Sequence, residues 1–423
     1  MLDPRIIRED LDKVKTGLVN KNVSVDLDKL LNLDTSRRKL IQEVEQLKAA
    51  RNQKSADISK KKKVGEDVSA DILATREIGE NIKEIQSELN NTEAEIKSIS
   101  LSIPNLPHAS TPVGKSEHDN IERRQWGSVP EFSFKPLDHL EIGERLGLFD
   151  FKAGAKISGR GFPVFTGLGA QLERALISYF LDTHIQKNGF TEIMPPLLVN
   201  RKTMTGTGQL PKMEADMYRT DEDDLFLIPT AEVPVTNLLA GEVLVPNQLP
   251  VSYVAYTPCF RREAGSWGKD TRGFQRLHQF NKVEMVKFVD PATSYDVLET
   301  LVGYAEALLQ GLGLHYRVLE LCTGDLSFAA AKCYDLEAYS PSCSSWLEVS
   351  SVSNFEDFQA RRANIRVKSN NKPVFVHTLN GSGLATPRVL VAILESYQLE
   401  GGGLKIPEVL QPYMGGRTEI LPE

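Results

Sequence analysis

The chain has 423 residues, 41% hydrophobic and 25% charged, with a formal net charge of −7. These are ordinary globular proportions, which exclude collagen-like, purely coiled-coil and wholly disordered chains, and the acidic balance argues against a generic nucleic-acid binder. No apolar run approaches the ~20 residues of a membrane span, the start Met1-Leu2-Asp3-Pro4-Arg5 shows no apolar leader, and Cys259, Cys322, Cys333 and Cys343 form no CxxC pair, so a soluble cytosolic protein without disulfide framework or zinc cluster is expected.

The first predicted elements are two long helices of opposite charge. Residues 34–63 hold ten basic and four acidic side chains, and residues 66–97 hold three basic and nine acidic. Leu33, Leu40, Leu47, Val44 and Ile58 occupy the two seam positions of a heptad, and Ile78, Ile82, Ile85, Leu89, Thr92, Ile96, Ile99 and Ile103 step strictly by four and three. That spacing predicts a supercoiled antiparallel pair. Gly65 can turn the chain and Asp67 can cap the return helix. A helix over 33–63 would reach about 46 Å at 1.5 Å per residue. Pro104 and Pro107 end the arm, and the Pro/Ser/Thr/Gly-rich stretch Ser102–Ser116 reads as a linker. The chain therefore divides into residues 1–110, carrying a hairpin arm at about 30–100, and residues 111–423.

The basic stripe of the arm comprises Arg37, Arg38, Lys39, Lys48, Arg51, Lys54, Lys60, Lys61, Lys62 and Lys63. It is either a solvated face or a track for a phosphate backbone, where each cation on a phosphate releases a counterion. With no aromatic residue in 27–100, recognition there would be of backbone and shape.

Beyond residue 121 the pattern turns to mixed helix and strand. A helix is predicted over Gly167–Gln186, then a short strand stopped by Pro195 and Pro196. Val251–Phe260 and Gln279–Val289 alternate like paired strands around a charged, glycine-rich loop at 261–276, and Pro387 can open a helix to about Gln398. Strands and helices do not alternate regularly, so the class is α+β, a largely antiparallel sheet flanked by helices and preceded by the coiled-coil arm. Neither GxxxxGK[ST] nor a post-strand GxGxxG occurs; a nucleotide would have to be held by side-chain cations, for which arginine's planar fork is suited.

Several motifs then fall in order. Phe260-Arg261-Arg262-Glu263, with Arg276-Leu277-His278-Gln279-Phe280-Asn281-Lys282-Val283-Glu284 after the loop, resembles motif 2 of class II aminoacyl-tRNA synthetases. The unit ending at Pro196 resembles motif 1, and Gly383-Leu384-Ala385-Thr386-Pro387-Arg388 resembles motif 3. Thr230-Ala231-Glu232, Asp357-Phe358-Gln359-Ala360-Arg361-Arg362 and His377-Thr378-Leu379-Asn380-Gly381-Ser382-Gly383, with the basic arm, narrow the resemblance to bacterial-type seryl-tRNA synthetases over the whole chain.

The resemblance implies a two-step ligase. ATP and L-serine give seryl-adenylate, and serine passes to the 3′ end of serine tRNA, whose long variable arm the coiled coil would bind; selenocysteine tRNA would follow if the host has one. It implies a homodimer through Pro196 and no membrane or DNA partner. Arg261 would hold the α-phosphate, Glu263 and the Leu277 backbone the adenine edge, Phe280 the adenine face, and Arg276 and Arg388 the β- and γ-phosphates. Arg261 could instead be a surface partner of Glu263, and Phe280 a core residue of its strand. Glu348 and Ser351 would ligate Mg²⁺, an ion suited to few protein oxygens plus phosphate and water. Thr230, Glu232, Glu284, Asn380 and Ser382 would form the serine pocket, with Lys282 beside them. Ser327, Leu347 and Val352 depart from the family pattern, which has Gly, Arg and Cys there. The competing functions are activation of another small amino acid, loading of a carrier protein, and a non-catalytic RNA-binding homologue.

Overall fold

A computed structural model describes residues 1–264, 273–369 and 372–422. Two compact units divide the chain, one of residues 1–19 and 23–104, the other of 20–22 and 105–423. Thus the second unit begins before residue 111, because the linker pairs with it: Asn105 N donates to the Phe328 carbonyl at 3.0 Å and His108 N to that of Ala331 at 2.9 Å.

The first unit holds α1 (Pro4–Glu9), α2 (Leu11–Asn20), α3 (Leu27–Lys63) and α4 (Ser69–Ser102). Helix α3 starts six residues earlier than the apolar seam alone predicts, because Asp26 caps it, accepting from Lys29 N at 2.8 Å. Its 37 residues extend about 56 Å. Gly65 turns the chain at φ 80°, and Asp67 accepts from the backbone N and hydroxyl of Ser69 at 3.0 and 2.6 Å. Every predicted seam residue is buried or half-buried. Thr92, the polar member, returns its hydroxyl to the Glu88 carbonyl at 2.9 Å, which removes the cost of placing it on an apolar stripe. The opposed charges meet as Lys29–Glu95 and Lys61–Asp71 pairs of 2.6 and 2.7 Å.

The second unit is built on an eight-stranded sheet of β1 (Ile121–Trp126), β2 (Thr191–Glu192), β3 (Val251–Phe260), β4 (Gln279–Val289), β5 (Tyr316–Glu320), β6 (Lys332–Ser340), β7 (Ser345–Asn354) and β8 (His377–Ala385), in the order β1-β5-β6-β7-β8-β4-β3-β2 among the described residues. All neighbours are antiparallel except β2 and β3. Strands β3 and β4 have the predicted bounds; of the loop between them, 265–272 lie outside the described residues. Helices α5 (Gly167–Gln186), α6 (Ser294–Gly311) and α7 (Thr386–Ser396) bury apolar faces with Val283, Met285, Val349, Val352 and Leu379 in one core cluster. The period of two does the rest: on β4, Val283 and Met285 enter that core, which leaves Lys282 and Glu284 on the opposite side, lining a cavity.

Candidate active site

That cavity, about 660 Å³, is lined by fourteen residues singled out above: Thr230, Glu232, Arg261, Glu263, Arg276, Leu277, Phe280, Lys282, Glu284, Glu348, Ser351, Asn380, Ser382 and Arg388. Three strands and the start of one helix carry eight of them: Phe280, Lys282 and Glu284 on β4, Glu348 and Ser351 on β7, Asn380 and Ser382 on β8, and Arg388 on α7. Glu284 faces Ser382 across the β4–β8 ladder, and Asn380 faces Ser353 across β8–β7. Close approach requires glycine at 383 and leaves little room for a side chain at 381. A Cβ at Gly381 would lie 3.1 Å from both Val352 methyls, and one at Gly383 would lie 2.2 Å from His184 Nε2.

Glu348 and Ser351 are three residues apart on a strand and should point to opposite faces. They share the cavity because the β6–β7 register slips between Leu336 and Glu337, whose partners are Ser350 and Glu348. Val349 is the extra residue, and the bulge re-aims Ser351. Of the departures from the family pattern, Leu347 and Val352 are buried in the core cluster, and Ser327 is exposed without a left-handed backbone among the positive-φ residues described.

The charges are reciprocally paired. Arg276 Nη1 lies 2.8 Å from Glu263 Oε2, so Glu263 pairs with Arg276 in the free site. Arg388 Nη1 donates to the carbonyl and carboxylate of Glu348 at 3.0 and 3.4 Å. The Arg261 guanidinium sits over the Phe280 ring, 5.1 Å from its centroid, a cation–π contact. Phe280 both lines the cavity and packs against the core.

At the other end, Lys282 Nζ lies 2.5 Å from Glu284 Oε2, with the two side chains 9% and 1% exposed, and the Thr230 hydroxyl donates to that same oxygen at 3.3 Å. Glu284 Oε1 is buried without a hydrogen-bond partner among the described residues. Burial, and then the charge of Glu284, push the Glu232 carboxyl up to about 7. Beneath Ser351, burial and then Glu348 hold the Asp335 carboxyl well above the usual carboxylate range. Glu348 and Ser351 thus offer two hard oxygens in a region rich in carboxylate. No cluster of three or more His, Cys, Asp or Glu fit to hold a metal occurs among the described residues. That donor set suits Mg²⁺, which keeps waters and shares phosphate oxygens.

One residue of this network belongs to a motif quoted above without a role of its own. Gln359 Nε2 donates to Glu232 Oε1 at 2.6 Å and to the Thr207 carbonyl at 3.2 Å, while its Oε1 accepts from the Thr378 hydroxyl at 2.8 Å. It holds Glu232 from a position 127 residues away in the chain, and only its place among motif residues hints at it. Cys259, Cys322 and Cys333 are free and buried, and Cys343 is free and exposed. No helix among the described residues is long and apolar enough to cross a membrane.

Residues 1–107 match the family model for the seryl-tRNA synthetase N-terminal domain, and residues 212–397 the tRNA synthetase class II core domain of the G, H, P, S and T enzymes. The serine–tRNA ligase of Geobacter sulfurreducens is 53% identical over 422 residues, 99% of this chain and 100% of that protein. That of Geobacillus kaustophilus is 55% identical over 423 residues, with coverage of 99% and 100%. The crystal structure of seryl-tRNA synthetase from Pyrococcus horikoshii complexed with ATP superposes with a TM-score of 0.92 at 39% identity, covering 100% of both chains. Matched over its full length, from the arm through the antiparallel sheet, the chain belongs to the seryl-tRNA synthetase family of class II aminoacyl-tRNA synthetases.

Proposed function

We propose that the chain activates L-serine with ATP and transfers it to tRNA, and that the fourteen cavity residues carry the chemistry. The observation that supports this reading best is the orphaned Glu284 Oε1, a buried acceptor lining the same cavity as three arginines. The serine ammonium supplies the missing donors, and Thr230 takes the serine hydroxyl. A pocket built to hydrogen-bond a hydroxyl rejects the analogue lacking it by roughly 10⁴–10⁵, because its own groups are left unpaired; alanine is excluded so, and threonine by size.

The substrate carboxylate is already a nucleophile, so no general base is needed. Its oxygen bonds to the α-phosphorus as the bond to the bridging oxygen breaks and pyrophosphate leaves. Arg261 neutralises charge on the α-phosphate, while Arg276 and Arg388 leave Glu263 and Glu348 to hold the outer phosphates. Glu263 is thereby freed for the adenine edge beside Leu277, with the base on Phe280. Such pre-aimed cations lower the barrier without reorganising in the transition state. Glu348 and Ser351 would hold Mg²⁺, which when bound neutralises phosphate charge. In the second step the tRNA 3′-terminal hydroxyl attacks the seryl carbonyl and AMP leaves.

The domain reading follows the same division: a tRNA-binding arm on the variable arm of serine tRNA, and a catalytic part from the linker onward. Met194, 88% exposed, and exposed Leu198 flank Pro196, an apolar patch that a homodimer would cover. The test is amino-acid-dependent ATP–pyrophosphate exchange with all twenty amino acids, without tRNA. Exchange with serine alone is expected. Exchange with another amino acid would discard the pocket assignment, and no exchange by folded protein would discard the enzyme.

A further inference from the structure

One wall of the cavity is a stretch of irregular backbone between β5 and β6, where Ser327, Phe328 and Ala329 line the space. Irregular carbonyls cannot be left dry and unpaired, and the donors here come from remote parts of the chain. Lys21 Nζ donates to the carbonyls of Ser327 at 2.8 Å and Ala330 at 2.7 Å, and reaches that of Phe328 at 3.5 Å. Asn105 supplies the rest: its backbone N donates to Phe328 at 3.0 Å and its side-chain amide to Ala329 at 3.0 Å and Phe355 at 2.8 Å. The next carbonyl, of Ala331, accepts from His108 N and the Thr111 hydroxyl at 2.9 and 3.0 Å. Five successive carbonyls are thus held by residues some 220 to 309 positions away.

This wall stands at the serine end. A Cβ on Gly208 would lie 3.5 Å from the Ala329 methyl and 3.7 Å from the Phe328 ring. The adjacent Thr207 carbonyl is held by the same Gln359 amide that grips Glu232. A buried ammonium is costly to place in a fold unless carbonyls replace its water. Lys21, 7% exposed, has them, and three donors on one nitrogen fix residues 327 and 330 together as no apolar filler could. Burial, with Lys212 adding to it, pushes that ammonium down to about 7.

We infer that Lys21 and Asn105 are positioning residues for amino-acid activation, clamping the 327–331 wall so that the Thr207–Gln359–Glu232 side of the serine pocket keeps its shape. The inference rests on the serine-activating reading above. It is tested in the full-length chain by Lys21→Met, Lys21→Arg and Asn105→Ala, measuring serine and ATP dependence of ATP–pyrophosphate exchange alongside thermal melting. Lys21→Met is expected to raise the KM for serine about tenfold, the size of effect that leaving buried carbonyls unpaired produces, with the KM for ATP little changed. Lys21→Arg and Asn105→Ala should give smaller shifts of the same kind, and they carry the test if Lys21→Met does not fold. A drop in kcat that tracks the melting temperature, with both KM values unmoved, would overturn the clamp and leave a structural lysine. Failure of the unmodified chain to exchange with serine would instead sink the reading on which the clamp rests.

Discussion

The arm and the catalytic unit use the same charged residue types under opposite conditions. In the arm, the Lys29–Glu95 and Lys61–Asp71 side chains are 37–52% exposed, and pairs in that setting contribute about 0–1 kcal/mol. The apolar seam holds the helices together, which leaves the cations available to a partner. In the cavity, Lys282 and Glu284 are buried against each other, and removing one partner of such a pair typically costs about 3–5 kcal/mol. Arm substitutions should therefore read out in RNA binding and its salt dependence, and cavity substitutions in folding and chemistry.

The sharpest way to break that separation is to remove the arm. Deleting residues 35–97 should abolish tRNA charging and leave serine-dependent pyrophosphate exchange nearly intact, because every cavity residue lies beyond residue 200. Equal loss of both activities would mean that the two regions do not work as modules. Within the cavity, Arg261→Ala should lower kcat for exchange by about 10²–10³, the usual cost of one pre-aimed group at a developing charge. Arg261→Lys should recover little of it, since a point charge does not replace the planar fork. A kcat within error of the unmodified chain would remove Arg261 from the α-phosphate.

How much of this is legible in the sequence follows from the range of the forces involved. The arm is readable because Ile78 through Ile103 repeat every 3.5 residues, and local periodicity dictates which side is buried. Strands β3 and β4 are readable because alternation and the intervening charged loop mark both ends. The shared face of Glu348 and Ser351 is not derivable from spacing, which puts them on opposite sides; the bulge at Val349 depends on pairing with β6. Nor is the roof over Glu232 legible, because Gln359 meets it only after β8 and the 358–363 helix have packed. Lys21 is least legible of all: its acceptors are main-chain carbonyls, which carry no residue identity.

Glu232 sharpens the comparison further, since a carboxyl that far inside the fold must titrate late. Its folded value of about 7 lies above the ordinary 4.5, so the folded state binds the proton more tightly. Its contribution to stability is therefore complete below about pH 4.5 and disappears as pH rises through about 7, amounting to about 3 kcal/mol in all. Denaturant unfolding between pH 5 and 8 should show the unmodified chain gaining stability relative to Glu232→Gln as the pH falls. Parallel curves would mean that Glu232 titrates normally and is not desolvated. No arm residue should produce such a curve; Asp67, held below the usual carboxylate range by the Ser69 hydroxyl and backbone N, is solvent-exposed and acts only at acid pH.

The smallest effect expected is on the arm's own cations, and there the structure separates residues that the sequence groups together. Arg37 and Arg38 both pair with Asp34, at 2.9 and 2.5 Å, Lys61 pairs with Asp71, and Lys60 lies 4.0 Å from Asp57. Lys48, Arg51, Lys54, Lys62 and Lys63 have no ion pair among the described residues. A cation that already neutralises a carboxylate must leave it before it reaches a phosphate, so its net contribution to RNA binding is smaller. Neutralising Lys62 and Lys63 should flatten the log–log salt dependence of tRNA binding by somewhat under one unit for each phosphate that goes without its cation, and neutralising Lys60 and Lys61 by less. Pyrophosphate exchange should be unaffected by either pair. An unchanged slope for all four lysines would make the stripe a solvated face and move tRNA recognition elsewhere on the arm. An equal slope for both pairs would show that the Asp57 and Asp71 pairings are exchanged freely with water, and that in the arm, unlike the cavity, pairing decides nothing.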